Sequence, residues 1–105
     1  MNKIKRKEIT RKPSHPGEVL KEIFLDSNNI SQASFARDLA DLTNGRIKLT
    51  TMKTKLSEVI KGKRSMSAEF ALLISKALGT NPKMWLGLQS SLDLWNAKNE
   101  MEKAS

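Results

Sequence analysis

Residues 30–64, which read ISQASFARDLADLTNGRIKLTTMKTKLSEVIKGKR, decide the fold of this 105-residue chain. Ser31 is a favourable N-cap residue, and Phe35 and Leu39 follow it at helical spacing. The sequence therefore predicts a short helix that begins at Ser31. This pattern breaks near Thr43-Asn44-Gly45, where a turn is expected.

A second helix is predicted after this turn, capped by Thr50 or Thr51 and ended by Gly62. Its apolar stripe at helical spacing comprises Met52, Leu56, Val59 and Ile60. Its opposite face carries hydroxyl groups and lysines, namely Thr54, Ser57 and Lys61, with Lys53 at the edge. Two short helices of this kind are typical of a helix-turn-helix unit. The second helix would fit the major groove of B-DNA, where hydroxyls reach base edges and lysines meet phosphates.

Three further helices are predicted around this pair. Pro16 opens the first of them, whose apolar stripe is Val19, Leu20, Ile23 and Phe24. Ser67 caps another, and Asn81-Pro82 opens the last. The expected architecture is an all-α, five-helix domain over residues 15–96. A basic, flexible arm of residues 1–14 precedes it, and a frayed polar tail of residues 97–105 follows it.

The basic residues are concentrated in two segments. The chain has a net charge of +8, to which residues 1–14 contribute +5 and residues 43–64 contribute +6, so the remainder is at −3. Localised positive charge is typical of proteins that bind a polyanion, because neutralised phosphates release counterions. A basic terminus can also be a solvated tail, but the second segment coincides with the helix pair. That coincidence favours DNA as the partner.

The composition excludes several kinds of site. The chain has no cysteine, which rules out a disulfide framework, a thiolate zinc site and a cysteine nucleophile. Its one histidine, His15, stands before a proline at a helix start, where a capping or turn role is favoured over catalysis. We therefore expect no enzyme activity, no cofactor and no metal. The longest apolar run is residues 70–74, and no signal peptide is evident, so a cytoplasmic protein without membrane contact is expected.

A series of short motifs occurs in a fixed order along residues 15–95. They are His15-Pro16-Gly17-Glu18-Val19-Leu20, Ser31-Gln32-Ala33-Ser34-Phe35-Ala36, Gly62-Lys63-Arg64, Met66-Ser67-Ala68-Glu69, Ala71-Leu72, Ser75-Lys76-Ala77-Leu78-Gly79-Thr80, Pro82, Trp85-Leu86, Leu88-Gln89 and Asp93-Leu94-Trp95. In this combination the chain resembles the HigA-type (VapI-type) antitoxins, which belong to the phage-repressor-like helix-turn-helix class.

The resemblance implies a five-helix, lambda-repressor-like domain that forms a homodimer and binds double-stranded DNA at an inverted-repeat operator. It also implies that the protein represses its own operon and neutralises a RelE-like, mRNA-cleaving toxin. By position, it implies that Ser31 and Gln32 touch the phosphate backbone. The other DNA-binding residues on this reading lie in or beside the recognition helix and in the basic turn after it: Thr50, Thr51, Lys53, Thr54, Ser57, Lys61, Lys63 and Arg64.

The chain departs from the family between Ala40 and Thr50, where the connection before the recognition helix is enlarged. Long insertions in surface loops cost little stability, so the fold is expected to accommodate it. One hypothesis is that the connection is inert. The other is that Arg46 and Lys48 make additional phosphate or minor-groove contacts.

The last predicted helix carries a broad apolar stripe. It includes Trp85, Leu88, Leu92 and Trp95, and it is wider than packing against one neighbour requires. Aromatic residues among leucines at helical spacing are typical of core or interface anchors rather than of base-stacking platforms. We therefore predict that these four residues form the dimer interface.

Three other functions stay open at this point. The chain could be a stand-alone helix-turn-helix regulator on the same fold. It could instead be an interaction module that mainly masks a toxin and binds DNA weakly, with residues 1–14 binding either partner. An RNA-binding protein would fit the charge, but it would not explain a helix pair shaped for the major groove.

Overall fold

The structure is a computed structural model that describes residues 11–104, within which it contains helices and no strand. The predicted all-α fold of five helices is confirmed. Helix α1 is Pro16–Val19, which continues as a π-helical segment, Leu20–Leu25, and a 3₁₀ turn, Asp26–Asn28; the others are α2, Gln32–Leu42, α3, Leu49–Ile60, α4, Ala68–Leu78, and α5, Pro82–Ala104. Residues 1–10 of the predicted arm, and Ser105, lie outside the described residues.

Side-chain caps start α2 and α4 where the sequence predicts them. The Oγ of Ser31 accepts a hydrogen bond from the backbone N of Ser34 at 3.0 Å, and the Oγ of Ser67 accepts one from the backbone N of Phe70 at 3.1 Å. Gly79 ends α4 with a φ of 75°, in the left-handed region that favours glycine. These local signals fix the start of α2 and both ends of α4.

One core lies between the five helices. Helix α2 packs against α3 and α4, and α5 packs against α4 and α1. The core comprises apolar side chains from every helix, among which the fully buried ones include Leu20, Phe35, Leu39, Met52, Leu56, Val59, Ile74 and Trp85. Burial of this face of α3 leaves its opposite face in solvent.

The π-helical segment changes which side chains of the first helix are buried. The predicted stripe includes Ile23, but its side chain is 58% exposed, and Leu25 is buried in its place. The backbone N of Asp26 donates to the carbonyl of Lys21, five residues earlier. This wider winding rotates the following residues away from the positions of a regular α-helix. The prediction for Ile23 is therefore wrong.

Gly17 brings the backbone of α1 against the end of α3. A Cβ atom at this position would lie 1.8 Å from the carbonyl oxygen of Val59 and 2.9 Å from the Cα of Ile60. Both neighbours are backbone atoms, so no side chain could move aside to make room. Only glycine fits this contact.

The last helix is longer than predicted. Residues 97–104 continue α5 instead of forming a frayed polar tail, so that prediction is wrong for these residues. The segment AKNEMEKA is rich in alanine, glutamate, lysine and methionine, which are among the best helix formers. Polarity alone was a poor guide to fraying here, because propensity sustains a helix that has little to pack against.

Candidate nucleic-acid interface

The exposed face of α3 presents the hydroxyl and lysine side chains that the sequence assigns to DNA contact. Thr50, Thr51, Lys53 and Thr54 are exposed, and Ser57 is half-buried. The Oγ1 of Thr54 donates to the carbonyl of Thr50 at 3.2 Å, and as a hydroxyl oxygen it can still accept a hydrogen bond. Polar groups on one side and a buried stripe on the other give α3 the form of a recognition helix.

Helix α3 begins earlier than predicted. Its N-cap is Lys48, which makes no side-chain capping bond, so the prediction of a cap by Thr50 or Thr51 is wrong. Ile47 and Leu49 on either side of Lys48 pack against the core. Their burial draws the helix start towards the core and places both threonines in the first turn, where their side chains are exposed.

The connection before α3 spans residues 43–48 and is shorter than the predicted stretch from Ala40 to Thr50, because α2 and α3 both extend into it. It is held in place by the buried side chain of Thr43. This hydroxyl donates to the carbonyl of Ala40 at 2.7 Å and accepts from the backbone N of Ile47 at 3.1 Å. The connection is therefore an ordered part of the fold.

The guanidinium of Arg46 in this connection forms an ion pair with the carboxylate of Glu69 on α4. Lys48 is exposed beside it. Arg46 and Lys48 thus flank the start of the recognition helix, and their contact with DNA stays a prediction.

The basic turn after α3 is also ordered. Gly62 has a φ of 77°, and the side chain of Arg64 folds back on α3, where its Nε donates to Oε1 of Glu58 at 2.8 Å. Lys61 and Lys63 are exposed. The two arginines predicted to bind DNA are therefore both paired with glutamates.

The start of α2 lies beside the recognition helix. Gln32, Ala33 and Ala36 of α2 line a shallow depression of about 380 Å³ together with Lys53 and Ser57 of α3. The structure thus brings Gln32 next to two predicted DNA contacts. The Oγ of Ser31 accepts the capping bond from Ser34, and Ser31 and Gln32 are both exposed at this helix end.

His15 joins the start of α1 to the basic turn. Its Nδ1 accepts from the backbone N of Gly17 at 2.9 Å, which confirms the predicted capping role. Burial lowers the pKa of His15 below its ordinary value, opposed by a hydrogen bond with the backbone of Arg64 and by the charges of Glu18 and Asp93. The neutral imidazole is the form that caps α1, because a protonated Nδ1 has no lone pair to accept with.

Two of the four residues predicted for the dimer interface belong to the core. Trp85 is fully buried, its Nε1 donates to Oγ1 of Thr80 at 2.8 Å, and its ring lies 5.3 Å from that of Phe24. Leu92 is also buried. Both side chains are buried within a single chain, so their assignment to a dimer interface is wrong.

The other two predicted interface residues are accessible in part. Leu88 is half-buried against the core, and Trp95 is half-buried with the Nζ of Lys12 at 5.8 Å from its ring centroid. Two exposed apolar residues of α5 are absent from the predicted interface: Leu94, which is 69% exposed, and Met101, which is also exposed. Their spacing of seven residues on one face of a helix was the signal that could have identified them.

Two kinds of feature are at issue in the part of the chain that the structure describes, a cluster of metal ligands and a membrane-crossing helix. No group of three or more histidine, aspartate or glutamate side chains comes together within residues 11–104 in a way that could hold a metal ion. No helix in this range is both long and apolar enough to cross a membrane.

Three of the relatives found by comparison with known proteins are named as a helix-turn-helix regulator, an antidote protein and an antitoxin. No protein-family model matches the chain. It is 30% identical over 95 residues to YbaQ of Escherichia coli, an uncharacterized HTH-type transcriptional regulator, which covers 90% of this chain and 75% of the relative. An addiction module antidote protein of a HigA family from Coxiella burnetii superposes with a TM-score of 0.72 at 31% identity, over 90% of this chain and 91% of that one. Antitoxin HigA of Pseudomonas aeruginosa, solved with the higBA promoter, gives a TM-score of 0.73 at 28% identity, over 89% and 90%.

Proposed function

The chain belongs to the HigA-type (VapI-type) antitoxin family of helix-turn-helix proteins, and from this premise we propose that it binds an operator as a homodimer and represses its own operon. In the same proposal it neutralises a RelE-like, mRNA-cleaving toxin. The observation that carries the DNA-binding part is the coincidence of the +6 segment, residues 43–64, with the exposed face and both ends of α3. A repressor of this kind acts in the cytoplasm.

In this proposal α3 enters the major groove. Thr50, Thr51, Thr54 and Ser57 reach base edges, because hydroxyls both donate and accept hydrogen bonds. Lysines around them bind the flanking phosphates and supply most of the sequence-independent affinity. Gln32 at the start of α2 binds the backbone beside the groove, which its position next to Lys53 supports.

The dimer forms through the second half of α5, which presents Leu94 and Met101 to solvent and Trp95 in part. Exposed apolar residues on one face of a helix are typical of a protein interface. A two-fold dimer would place the two recognition helices in successive major grooves, so the operator half-sites should be about 34 Å apart or a multiple of that distance.

The toxin-binding part of the proposal rests on the family alone. Deletion of residues 1–14, followed by separate measurement of DNA and toxin affinity, would establish which partner the arm binds. Loss of toxin affinity alone would identify the arm as the toxin-binding segment, and loss of DNA affinity alone would identify it as a phosphate-binding arm.

A mobility-shift titration tests the DNA-binding proposal. The protein is titrated against the DNA upstream of its own operon and against a scrambled duplex of the same length and composition at moderate salt. We expect specific binding to be tighter by about 10³-fold or more. Equal affinity for the two duplexes would refute specific repression.

A stand-alone regulator is the second candidate, favoured by the likeness to YbaQ, which is named a transcriptional regulator. The two functions predict different neighbouring genes. A small toxin gene next to this one would support the antitoxin function. Co-purification of the toxin protein with this protein would test the pairing directly. Absence of such a gene would favour the regulator.

A further inference from the structure

The positive side chains around α3 fall into two groups. Both arginines predicted to contact DNA are paired with glutamates, Arg46 with Glu69 and Arg64 with Glu58. Within residues 11–104 the structure records no ion pair for the lysines of the same predicted surface, Lys48, Lys53, Lys61 and Lys63. The arginines stand at the two ends of the recognition helix, one before its first turn and one after its last.

The pairs are built into the fold and yet remain exchangeable. Arg46 projects from a connection that Thr43 holds in place, and Glu69 lies in the first turn of α4, so neither backbone is free to drift. All four side chains are roughly half exposed. Ion pairs at this level of exposure contribute little stability, so a competing anion can replace the carboxylate.

We propose that Glu58 and Glu69 are specificity-determining residues that compete with DNA phosphates for Arg64 and Arg46. This inference rests on the proposed DNA-binding function. In the free protein each glutamate neutralises one arginine at an end of α3. On the operator, base contacts along α3 fix the position of the duplex, and phosphates replace both carboxylates.

The competition mainly lowers the affinity for non-specific DNA. Non-specific binding depends almost entirely on phosphate neutralisation, so two occupied arginines weaken it directly. A duplex that makes no base contacts with α3 does not hold its phosphates at the positions from which they would replace the two carboxylates. The glutamates therefore widen the ratio between operator and non-specific affinity without touching a base.

The test compares Glu69→Gln and Glu58→Gln with Asp26→Asn. Asp26 is the matched control, because its carboxylate is also exposed and ion-paired, with Lys21 at 2.8 Å, but lies on the first helix. Each variant removes one negative charge with almost no change in shape. Fluorescence anisotropy gives the affinity for labelled operator and scrambled duplexes across a series of salt concentrations, and thermal unfolding verifies that each variant is folded.

We expect each glutamine variant to raise affinity for the scrambled duplex about threefold or more, and to steepen the salt dependence by about one unit, as one more neutralised phosphate would. Affinity for the operator should rise less, so the specificity ratio falls. Asp26→Asn should change neither affinity by as much. The double variant Arg46→Ala/Glu69→Gln should bind the scrambled duplex with the same affinity as Arg46→Ala alone, because the arginine that the Glu69 change would release is absent from both.

Three results would overturn the inference. Glu69→Gln could weaken operator binding, which would mean that the glutamate positions Arg46 for DNA. Asp26→Asn could raise scrambled-duplex affinity equally, which would reduce the effect to net charge. The salt dependence could stay unchanged. A wild-type protein that binds neither duplex would instead overturn the proposed function, and the inference with it.

Discussion

The two halves of α5 have different surroundings although one continuous helix forms both. In the first half, residues 82–92, Trp85, Gln89 and Leu92 are buried. In the second half, residues 93–104, most side chains are exposed, and only Trp95 and Asn99 are half-buried. A single apolar stripe in the sequence thus combines a core segment with a surface segment. The difference separates residues that hold the fold from residues available to a second chain.

The largest expected effect comes from Trp85→Ala in the first half. The change leaves a cavity in the core, removes the contact with Phe24 and leaves Thr80 without its indole donor, so unfolding free energy should fall by about 3–5 kcal/mol. Trp95→Ala in the second half is the matched control and should cost less than half as much. Chemical denaturation of both variants measures the difference. Equal losses would show that the two halves contribute alike to the core.

The next effect comes from the buried amide of Gln89. Its Oε1 accepts from the backbone N of Met66 at 2.8 Å, and its Nε2 donates to Asp93 at 2.9 Å. Gln89→Leu leaves the Met66 N–H buried without an acceptor, which should cost about 1–3 kcal/mol. Asn96→Ala, an exposed site in the second half, should stay within about 0.5 kcal/mol. Denaturation midpoints that do not separate the two variants would contradict this assignment.

A smaller and different effect is expected in the second half. Leu94→Lys places a charge in the proposed dimer interface and should weaken the dimer tenfold or more, equivalent to about 1.4 kcal/mol, while the folded chain keeps its helix content. Asn96→Lys adds the same charge on another side of the helix and should leave the dimer intact. Sedimentation over a range of concentrations measures both. A wild-type chain that is monomeric at high micromolar concentration would rule out this interface.

The smallest effect concerns His15, which lies where the two halves of α5 meet, in a groove also lined by Gln89, Asp93 and Asn96. Because burial lowers the pKa of His15, the unfolded chain binds the proton more tightly. The stabilisation from the neutral form is complete above the ordinary pKa of about 6.5 and declines as pH falls from there to the native pKa.

The matched variant for this prediction is His15→Asn, since asparagine also caps helices but does not titrate. Thermal unfolding between about pH 7.5 and pH 5 should show the wild type losing more stability than the variant towards acid. Parallel curves for the two proteins would show that His15 does not contribute to the pH dependence.

Much of the fold was accessible from local sequence signals, and the errors have identifiable physical causes. Ser31, Ser67 and Asn81 mark helix starts through side-chain hydrogen bonds within one turn, so the sequence alone predicts these starts. The burial of Ile23 was mispredicted because no residue pattern announces a π-helical segment. Lys48, and not a threonine, is the N-cap of α3, and Ile47 and Leu49 on either side of it make tertiary contacts with the core that local capping preferences do not predict.

The sequence predicts which residue types line the candidate site, but it does not predict which neighbours each side chain contacts. The polar face of α3 follows from its periodicity, whereas the pairing of Arg46 with Glu69 joins residues far apart in sequence and could not be read from it. The same limit applies to Trp85 and Leu92. Periodicity places a side chain on a face, but it does not reveal whether that face meets the chain's own core or another molecule.

The contact at Gly17 fixes how closely the first helix approaches the recognition helix. The backbone of the first helix lies against the last turn of α3 with no side chain between them. A tilt of the first helix would therefore have to be taken up by the backbone of α3, because no side-chain rotation at this contact can absorb it.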